Sequence, residues 1–519
     1  SVVAQPAGDS SIEEVVVTAQ RREQSLQSVP IAITALPAAQ LASRGITSTI
    51  ELSAVTPGLV VNTSLSRATP FIRGVGTRGA DPGLEGGVAT YVDGVYYSSL
   101  AGNVFSLNNI ERIEVLKGPQ GTLFGRNATG GLIHIITREP SKAPLLLANL
   151  GYASYRTVQG NLYATGALSD NLAADIALFG SRQAKGYGHS LVTGQEVGKG
   201  REWSVRSKLK WEPTDGTKVI LAGDYQRNIG DTGLVRNIIP GSLLIGGFPF
   251  RGTIYDASGN ILGSTRQKNW GASLKVNHDF GAFSAQSLTG YRSTNNNTIL
   301  DQDNSPLSVA DAQLFPERQL TFQQEFLFNG GGAKLTWTSG AFYYHAKSKS
   351  TLQIRSSTVA SLRQDTIANL GTRSMAAFAQ ASYKIGDQTS VTAGARYTSD
   401  KVTDEGLQIA TLGNITGGVA RPAGTVLQNS RTNGIDTSRT FNKITYRLAV
   451  DHQITPGVLL YGSYSRGFKN GSFSSTAPFL ASSRTRLYMG AKSRFSALKR
   501  TTPASRHAST MASDSARLL

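Results

Sequence analysis

From Leu145 to about Arg466 the chain is a succession of period-two segments, joined by connections of two kinds in strict rotation. In "RTVQGNLYAT", Val158, Gly160, Leu162 and Ala164 share one face, and Thr157, Gln159, Asn161 and Tyr163 the other. In "LAADIALFGSR", Leu172, Ala174, Ile176 and Leu178 oppose Asp175 and Ser181. That period belongs to strands of a sheet with one apolar and one polar face. Similar pairs recur at about 202–212 with 217–228, 267–278 with 283–294, 319–329 with 334–347, 373–384 with 389–400 and 439–453 with 457–468. Within a pair the turn is short ("EPTDG", "DFGA", "NGGGA", "IGDQ", "TPG"). Between pairs the loops are long, at 229–266, 295–318, 348–372 and 401–438. A soluble sandwich seldom keeps its long loops at one end, whereas an outer-membrane barrel puts short turns on one side and long loops on the other.

Other architectures and chemistries fit less well. Hydrophobic residues make up only 39% of the chain, and no run reaches the ~18 apolar residues of a membrane helix. The absence of Cys excludes disulfides and thiolate metal sites. The net charge of +18 invites a nucleic-acid reading, but the 480–519 tail holds eight of the basic residues against one acid, Asp514. No basic stripe interleaved with aromatics runs along the body, so no nucleic-acid partner is expected. The six histidines (134, 189, 278, 345, 452 and 507) show no metal-ligand spacing, and no Gly-x-Ser-x-Gly elbow occurs. Neither an enzyme, a cofactor nor a metal site is expected.

Residues 25–140 follow a different grammar, that of a mixed α/β unit. "SVPIAITALPAAQLASRGI" predicts a strand and then a helix from about Ala38 to Arg44, stopped by Gly45. "VATYVDGVYYS", "ERIEVLKGPQ" and "LIHIITREP" predict further strands, joined through glycine clusters at 74–87 and 118–131. "KGPQGTLFGRNATGG" is glycine-rich after a strand, yet it lacks a Gly-Lys-Ser/Thr ending and leads into a strand, so a phosphate loop is a weak reading. Ahead of this unit stands a lone strand-forming run, "IEEVVVTAQRREQ" at 12–24, which has no evident hairpin partner.

Taken together, "EEVVVTAQRREQSLQSVPIAITAL" (13–36), "FIRGVGTRG" (71–79), "YVDGVYYSS" (91–99) and "IERIEVLKGPQGTLFGRNATGGLIHIITREP" (110–140) resemble the TonB-dependent outer-membrane receptors. "AGARYTSD" (393–400) and "LLYGSYSRGFKNGSF" (459–473) resemble their barrel strands. The resemblance implies an all-β dominated chain: an N-terminal mixed α/β plug inside an antiparallel barrel of a 22-stranded family. It divides the chain into a flexible N-terminus (1–24), a plug (25–140), a partial barrel (145–479) and an aberrant, disordered basic tail (480–519).

The resemblance also supplies roles. Ile12, Glu13, Glu14, Val15, Val16, Val17, Thr18 and Ala19 correspond to the TonB box, an extended and accessible segment to which the energy-transducing partner TonB adds a strand. The plug motif comprises Arg73, Gly74, Asp93, Gly94, Glu111, Arg112, Glu114, Lys117, Gly118, Gly121, Gly125, Arg126, Asn127, Gly130 and Gly131. Its glycines permit tight turns, and Arg73, Glu111, Arg112, Glu114, Lys117 and Arg126 are expected to pair with the barrel's inner wall. The implied activity is uptake of a scarce nutrient across the outer membrane, first of all a ferric siderophore, bound by the long loops and the apex "GTRGADPGLEGG" (76–87). Because the carrier chelates the iron, the protein needs no iron ligands of its own. Cobalamin, a glycan or an aromatic compound is the alternative cargo, and a non-functional truncated product a further one. About thirteen strands are counted to Phe473, and a fourteenth is expected from "LYMGAKSRF" (487–495). Beyond it the alternation stops, which reads as a truncated or frameshifted chain whose sheet stays open at two edges.

Overall fold

The computed structural model describes residues 15–64, 67–78, 83–103, 106–231, 241, 243–244, 247, 249–301, 303–307, 311–355, 364–410, 414–416, 419–429, 437–455, 457–473 and 492–500. Ile12, Glu13, Glu14, part of the apex and most of the tail lie outside the described residues.

The N-terminal unit starts with β1 (Val16–Val17), β2 (Gln24–Ser25), β3 (Ile33–Pro37) and α1 (Ala38–Ser43). It continues with β4 (Leu59–Ser64), β5 (Arg67–Ile72), β6 (Val88–Val92), β7 (Val95–Tyr96), β8 (Ile110–Lys117) and β9 (Gly131–Thr137). The central sheet has the order β3-β8-β9-β6-β7, with β6 and β9 parallel and the other pairs antiparallel. As expected, the helix ends before Gly45, whose φ of 66° is the left-handed conformation that stops a helix. Both faces of the sheet are apolar. Leu36, Leu41, Leu52, Ile113 and Ile135 form one core; Val17, Leu116, Leu132 and Phe124 form a second that includes Tyr344 and Phe378 of the surrounding wall. A unit buried on both sides explains why β6, β8 and β9 read as near-continuous apolar runs.

Fourteen long strands follow. They are β10 (Leu145–Ala153), β11 (Thr157–Ser169), β12 (Leu172–Gln183), β13 (Gly200–Thr214), β14 (Thr217–Gly230), β15 (Ser264–Asp279) and β16 (Phe283–Asp301). Then come β17 (Asp311–Gly331), β18 (Leu335–Arg355), β19 (Gln364–Ile385), β20 (Thr389–Ala410), β21 (Ser438–Thr455), β22 (Val458–Arg466) and β23 (Lys492–Arg500). Each pairs antiparallel with the next, and β10 and β23 are the ends of the path. The short turns and long loops fall on opposite sides, as the sequence requires. Outward positions such as Trp203, Leu209 and Trp211 are exposed, while inward neighbours such as Lys208 are buried against the plug. Trp203 and Trp211 lie eight residues apart, about 26 Å along a strand, which suits the tilted crossing of an apolar band.

The tail expected to be disordered is not so throughout: residues 492–500, overlapping the fourteenth strand expected at 487–495, form β23 against β22 in continuous register. The edge of β22 offers unpaired backbone groups, and a strand satisfies them whatever its side chains. At the other end, nearly all of β10 is exposed on both faces, as befits an edge strand with no further neighbour in the sheet path.

Gly131 has φ 135°, and a Cβ there would run into the Leu116 carbonyl. Gly131→Ala is therefore expected to disorder the β8–β9 junction, measured as limited proteolysis between residues 117 and 131 at least tenfold faster than in the parent chain.

Candidate functional site

The described part of the segment expected to serve as the TonB box, residues 15–19, is folded, not free. Val16 and Val17 pair with Ser25 and Gln24 in a small antiparallel ladder, and the Leu26 N–H donates to the Val15 carbonyl at 2.8 Å. Val17 and Ala19 are fully buried. Thr18 is latched to the plug: its N–H donates to Glu114 Oε1 at 2.9 Å, and its hydroxyl lies 3.2 Å from each Glu114 oxygen and 3.3 Å from His134 Nδ1. The expectation of an accessible, unpartnered strand is thus corrected for residues 15–19. Val17 is buried while Val16 stays exposed, and the hairpin partner is the polar run Gln24–Ser25, which no apolar pattern announces.

The segment then crosses to the wall. Arg21 pairs with Glu325 at 3.1 Å and lies over the Phe124 ring at 4.1 Å. Arg22 donates to the Trp337 carbonyl at 2.6 Å and to Thr338 Oγ1 at 2.9 Å. Three more ion pairs tie plug to wall: buried Arg67 with buried Glu317, Asp93 with Lys208 at 3.1 Å, and Glu139 with Lys218 at 3.1 Å. A cavity of about 1220 Å³ opens beside them on the short-turn side, lined by Thr18, Arg21, Arg112, His134, Lys208 and Lys275 among others.

Sequence comparison places this arrangement. The description "TonB-dependent Receptor Plug Domain" matches residues 25–132, and "TonB dependent receptor-like, beta-barrel" matches residues 203–490, more than half of the chain. The chain belongs to the TonB-dependent receptor family. That family consists of outer-membrane transport receptors, and the receptor's barrel accordingly belongs in the outer membrane. The pesticin receptor of Yersinia pestis is 31% identical over 160 residues, 30% of this chain and 23% of that protein. Vitamin B12 transporter BtuB of Vibrio vulnificus (strain YJ016) is 30% identical over 183 residues, 34% of this chain and 28% of that one. The chain thus spans about a quarter of the length of the curated relatives it matches. The ferric yersiniabactin uptake receptor FyuA from Yersinia pestis shares the fold, with a TM-score of 0.72 at 18% identity over 90% of this chain and 68% of that one.

The receptor's plug-motif residues fall into three groups. Asp93 and Gly94 (φ 51° and 90°) form the tight turn between β6 and β7, and Arg73 and Gly74 (φ 51° and 78°) the turn after β5. Gly118 donates its N–H to the Gly130 carbonyl, and Gly130 to that of Gly87, which ties the glycine-rich loop to the apex. Gly121 and Gly125 allow close approach to the wall: a Cβ would come within 3.0 Å of the Arg466 carbonyl and 2.7 Å of the Arg396 guanidinium.

The expected charge pairs are redistributed. Arg112 binds Glu111 at 2.5 Å and Glu114 at 2.9 Å, all within the plug. Lys117 donates its backbone N–H to Ala32, again inside the plug. Of the six charged residues named, Arg126 approaches the wall, with Nε 3.9 Å from Asp400; its closer partner is Glu85 at 2.8 Å. Asn127 (φ 66°) joins this buried group through Glu85 and the Tyr96 hydroxyl. Sequence reasoning missed Glu85, Arg21, Arg67 and Glu139. Their signal was faint: an acid beside glycines in "GLEGG", and charged residues of either sign near strand ends.

Burial dominates the site's titration. It raises Glu85 and Glu114, and it lowers Lys469 to about 8. Burial would also raise Asp93, but Lys208, Lys275 and the Thr137 hydrogen bonds hold it well below the usual carboxylate range. His134 is pushed down to about 3 by burial and Arg21, so its imidazole is neutral beside Thr18.

Two outcomes are expected. Glu114→Ala frees the Thr18 N–H, so a cysteine placed at Val17 reacts with a maleimide at least tenfold faster; unchanged labelling would remove the latch. The unfolded chain protonates His134 near 6.5 while the folded plug does not, so stability falls as pH drops below 6.5 and levels off near 3. The slope from this group is at most about 1.4 kcal/mol per pH unit, and unfolding curves of His134→Gln should be shallower in acid.

Proposed function

We propose that the chain forms the plug and wall of a transporter that takes a ferric siderophore across the outer membrane, driven by TonB through the box. The observation that carries this reading is the place of the box. Val15–Ala19 lies on the short-turn side, paired by only two residues and latched at Thr18 to β8 of the plug sheet. An energised partner adding a strand to Val16–Val17 would pull on a segment bonded directly to Glu114. Displacing Glu114 disturbs β8, which carries the glycine loop to Arg126 and the apex. The large turn-side cavity then extends toward the apex and provides a solute path.

The cargo is inferred from relatives, since the FyuA fold neighbour takes up ferric yersiniabactin. The match to vitamin B12 transporter BtuB favours a corrinoid as the second reading. Deleting the locus in its host separates the two: siderophore uptake predicts a growth defect that appears on iron limitation and is relieved by excess iron. A defect relieved by cobalamin and indifferent to iron would overturn the first reading. For the coupling role, Val16→Pro removes the N–H that strand pairing needs. It is expected to abolish energised uptake in whole cells while leaving ligand binding within twofold, and unchanged uptake would withdraw the role from this segment.

A further inference from the structure

Among the described residues, the turn-side cavity holds a lysine without a partner. Four lysines share the inward face of three adjacent strands: Lys208 and Lys210 on β13, Lys218 on β14 and Lys275 on β15. The register sets Lys210 and Lys275 in one row across Ile220, on the face from which Lys208 meets the plug. Three of the four have a carboxylate. Lys208 Nζ lies 3.1 Å from Asp93, Lys210 Nζ 3.7 Å from Glu212 and Lys218 Nζ 3.1 Å from Glu139. Lys275 forms no ion pair or hydrogen bond among the described residues. The acids that act on it through space, Asp93 and Glu139, are the ones already held by Lys208 and Lys218. Asp93 is occupied further by the Thr137 N–H at 2.9 Å and the Thr137 hydroxyl at 2.7 Å. The arginines beside the cavity are engaged as well: Arg21 by Glu325, Arg22 by the Trp337 carbonyl and Arg112 by Glu114. Three lysines thus share two carboxylates, and a half-buried ammonium is left over in a partly enclosed space, where a charge without a partner is costly.

The plug side of the same cavity offers a second unused group. His134 is buried, lines the cavity, and has an Nε2 without a hydrogen-bond partner. Its Nδ1 lies 3.3 Å from the Thr18 hydroxyl, and a hydrogen bond donated to Nδ1 puts the ring proton on Nε2. Lys275 is among the charges that act on this ring. Asn277 and Gln286, opposite each other in the ladder, line the cavity one step nearer the turn and add amide donors. The exposed acids Glu23, Asp170, Asp215 and Asp279 stand at the mouth, where solvent and salt screen them from Lys275. The cavity volume of about 1220 Å³ exceeds the roughly 300–1,000 Å³ of small-molecule sites.

We propose that Lys275 and His134 form an anion subsite that takes a carboxylate of the solute on the turn side of the plug. The proposal rests on the transport reading above and gives it a substrate class, an anionic, carboxylate-bearing solute. The excess on the wall is a single charge, which a carboxylate matches. A phosphate monoester carries about 1.5 to 2 negative charges at neutral pH and is better served by a guanidinium fork. Wall and plug each contribute one group, so the subsite exists only while the plug is seated; once the plug moves, the solute keeps its bond to Lys275 alone.

The test uses the full chain in detergent micelles carrying Ala222→Cys, which introduces the chain's single thiol into the cavity wall. Ala222 pairs with Ser273, two residues from Lys275, and has no part in the proposed bonds. The thiol is reacted with an anionic sulfonatoethyl methanethiosulfonate and with its trimethylammonium counterpart, each rate normalised to that with free cysteine. The anionic reagent is expected to be favoured at least about fivefold, Lys275→Gln to cut that preference below about twofold, and Lys275→Arg to keep it. Glutarate should slow the anionic labelling at least about threefold, inorganic phosphate more weakly, and glutaramide not at all. No anionic preference, a preference that survives Lys275→Gln, or equal protection by glutaramide or phosphate would overturn the subsite. Neither the energy-transducing partner nor uptake enters this measurement, so its failure leaves the transport reading standing. A chain that shows the preference yet imports nothing loses that reading and keeps the subsite.

Discussion

A peptide group left unpaired in hydrocarbon costs several kcal/mol, and the rest of this structure depends on that cost. It forces the wall into one long ladder, in which β10 to β23 each pair with the next strand. The ladder imposes period two, and period two divides the side chains into a lipid face and a lumen face. The lumen face then carries Glu325, Glu317 and Lys208, charges that must be hydrated or paired. The plug supplies their partners. Backbone pairing in lipid therefore dictates side-chain pairing in the lumen, one level removed.

Those lumen pairs are better understood as positioning than as stabilisation. A buried ion pair regains little more than its own desolvation cost, yet losing one partner leaves an uncompensated buried charge. Arg67 on Glu317 and Arg21 on Glu325 thus penalise any other placement of the plug more than they favour this one. A domain seated in this manner can be withdrawn at modest net cost if water reaches both partners together. The large cavity on the turn side brings water close to Arg21 and Asp93.

What could be read from the sequence follows the range of each signal. Alternation and turn length act within one strand pair, so the wall strands and the side of each loop were evident from "EPTDG" and "TPG" onward. The helix with its Gly45 stop and the strands of the central plug sheet were equally evident, whereas the β4–β5 hairpin was not. The small ladder of Val16–Val17 with Gln24–Ser25 was not, because its second strand is polar and its turn holds no glycine. Wall partners were hidden for a different reason: Arg67 and Glu317 are separated by 250 residues, and nothing local in either stretch names the other.

The stowed box has a consequence for how a partner finds it. If the proposed strand-adding partner binds the open form alone, its apparent dissociation constant is the intrinsic one divided by the open fraction. If the Thr18–Glu114 bonds and the two-residue ladder together hold the segment by about 2.7 kcal/mol, the apparent affinity of the resting chain is about a hundredfold weaker than that of the open one. Any event at the apex that loosens β8 raises the open fraction, and with it the affinity, without creating a contact with the partner. Under the proposed coupling, the latch would set how readily the partner engages the segment.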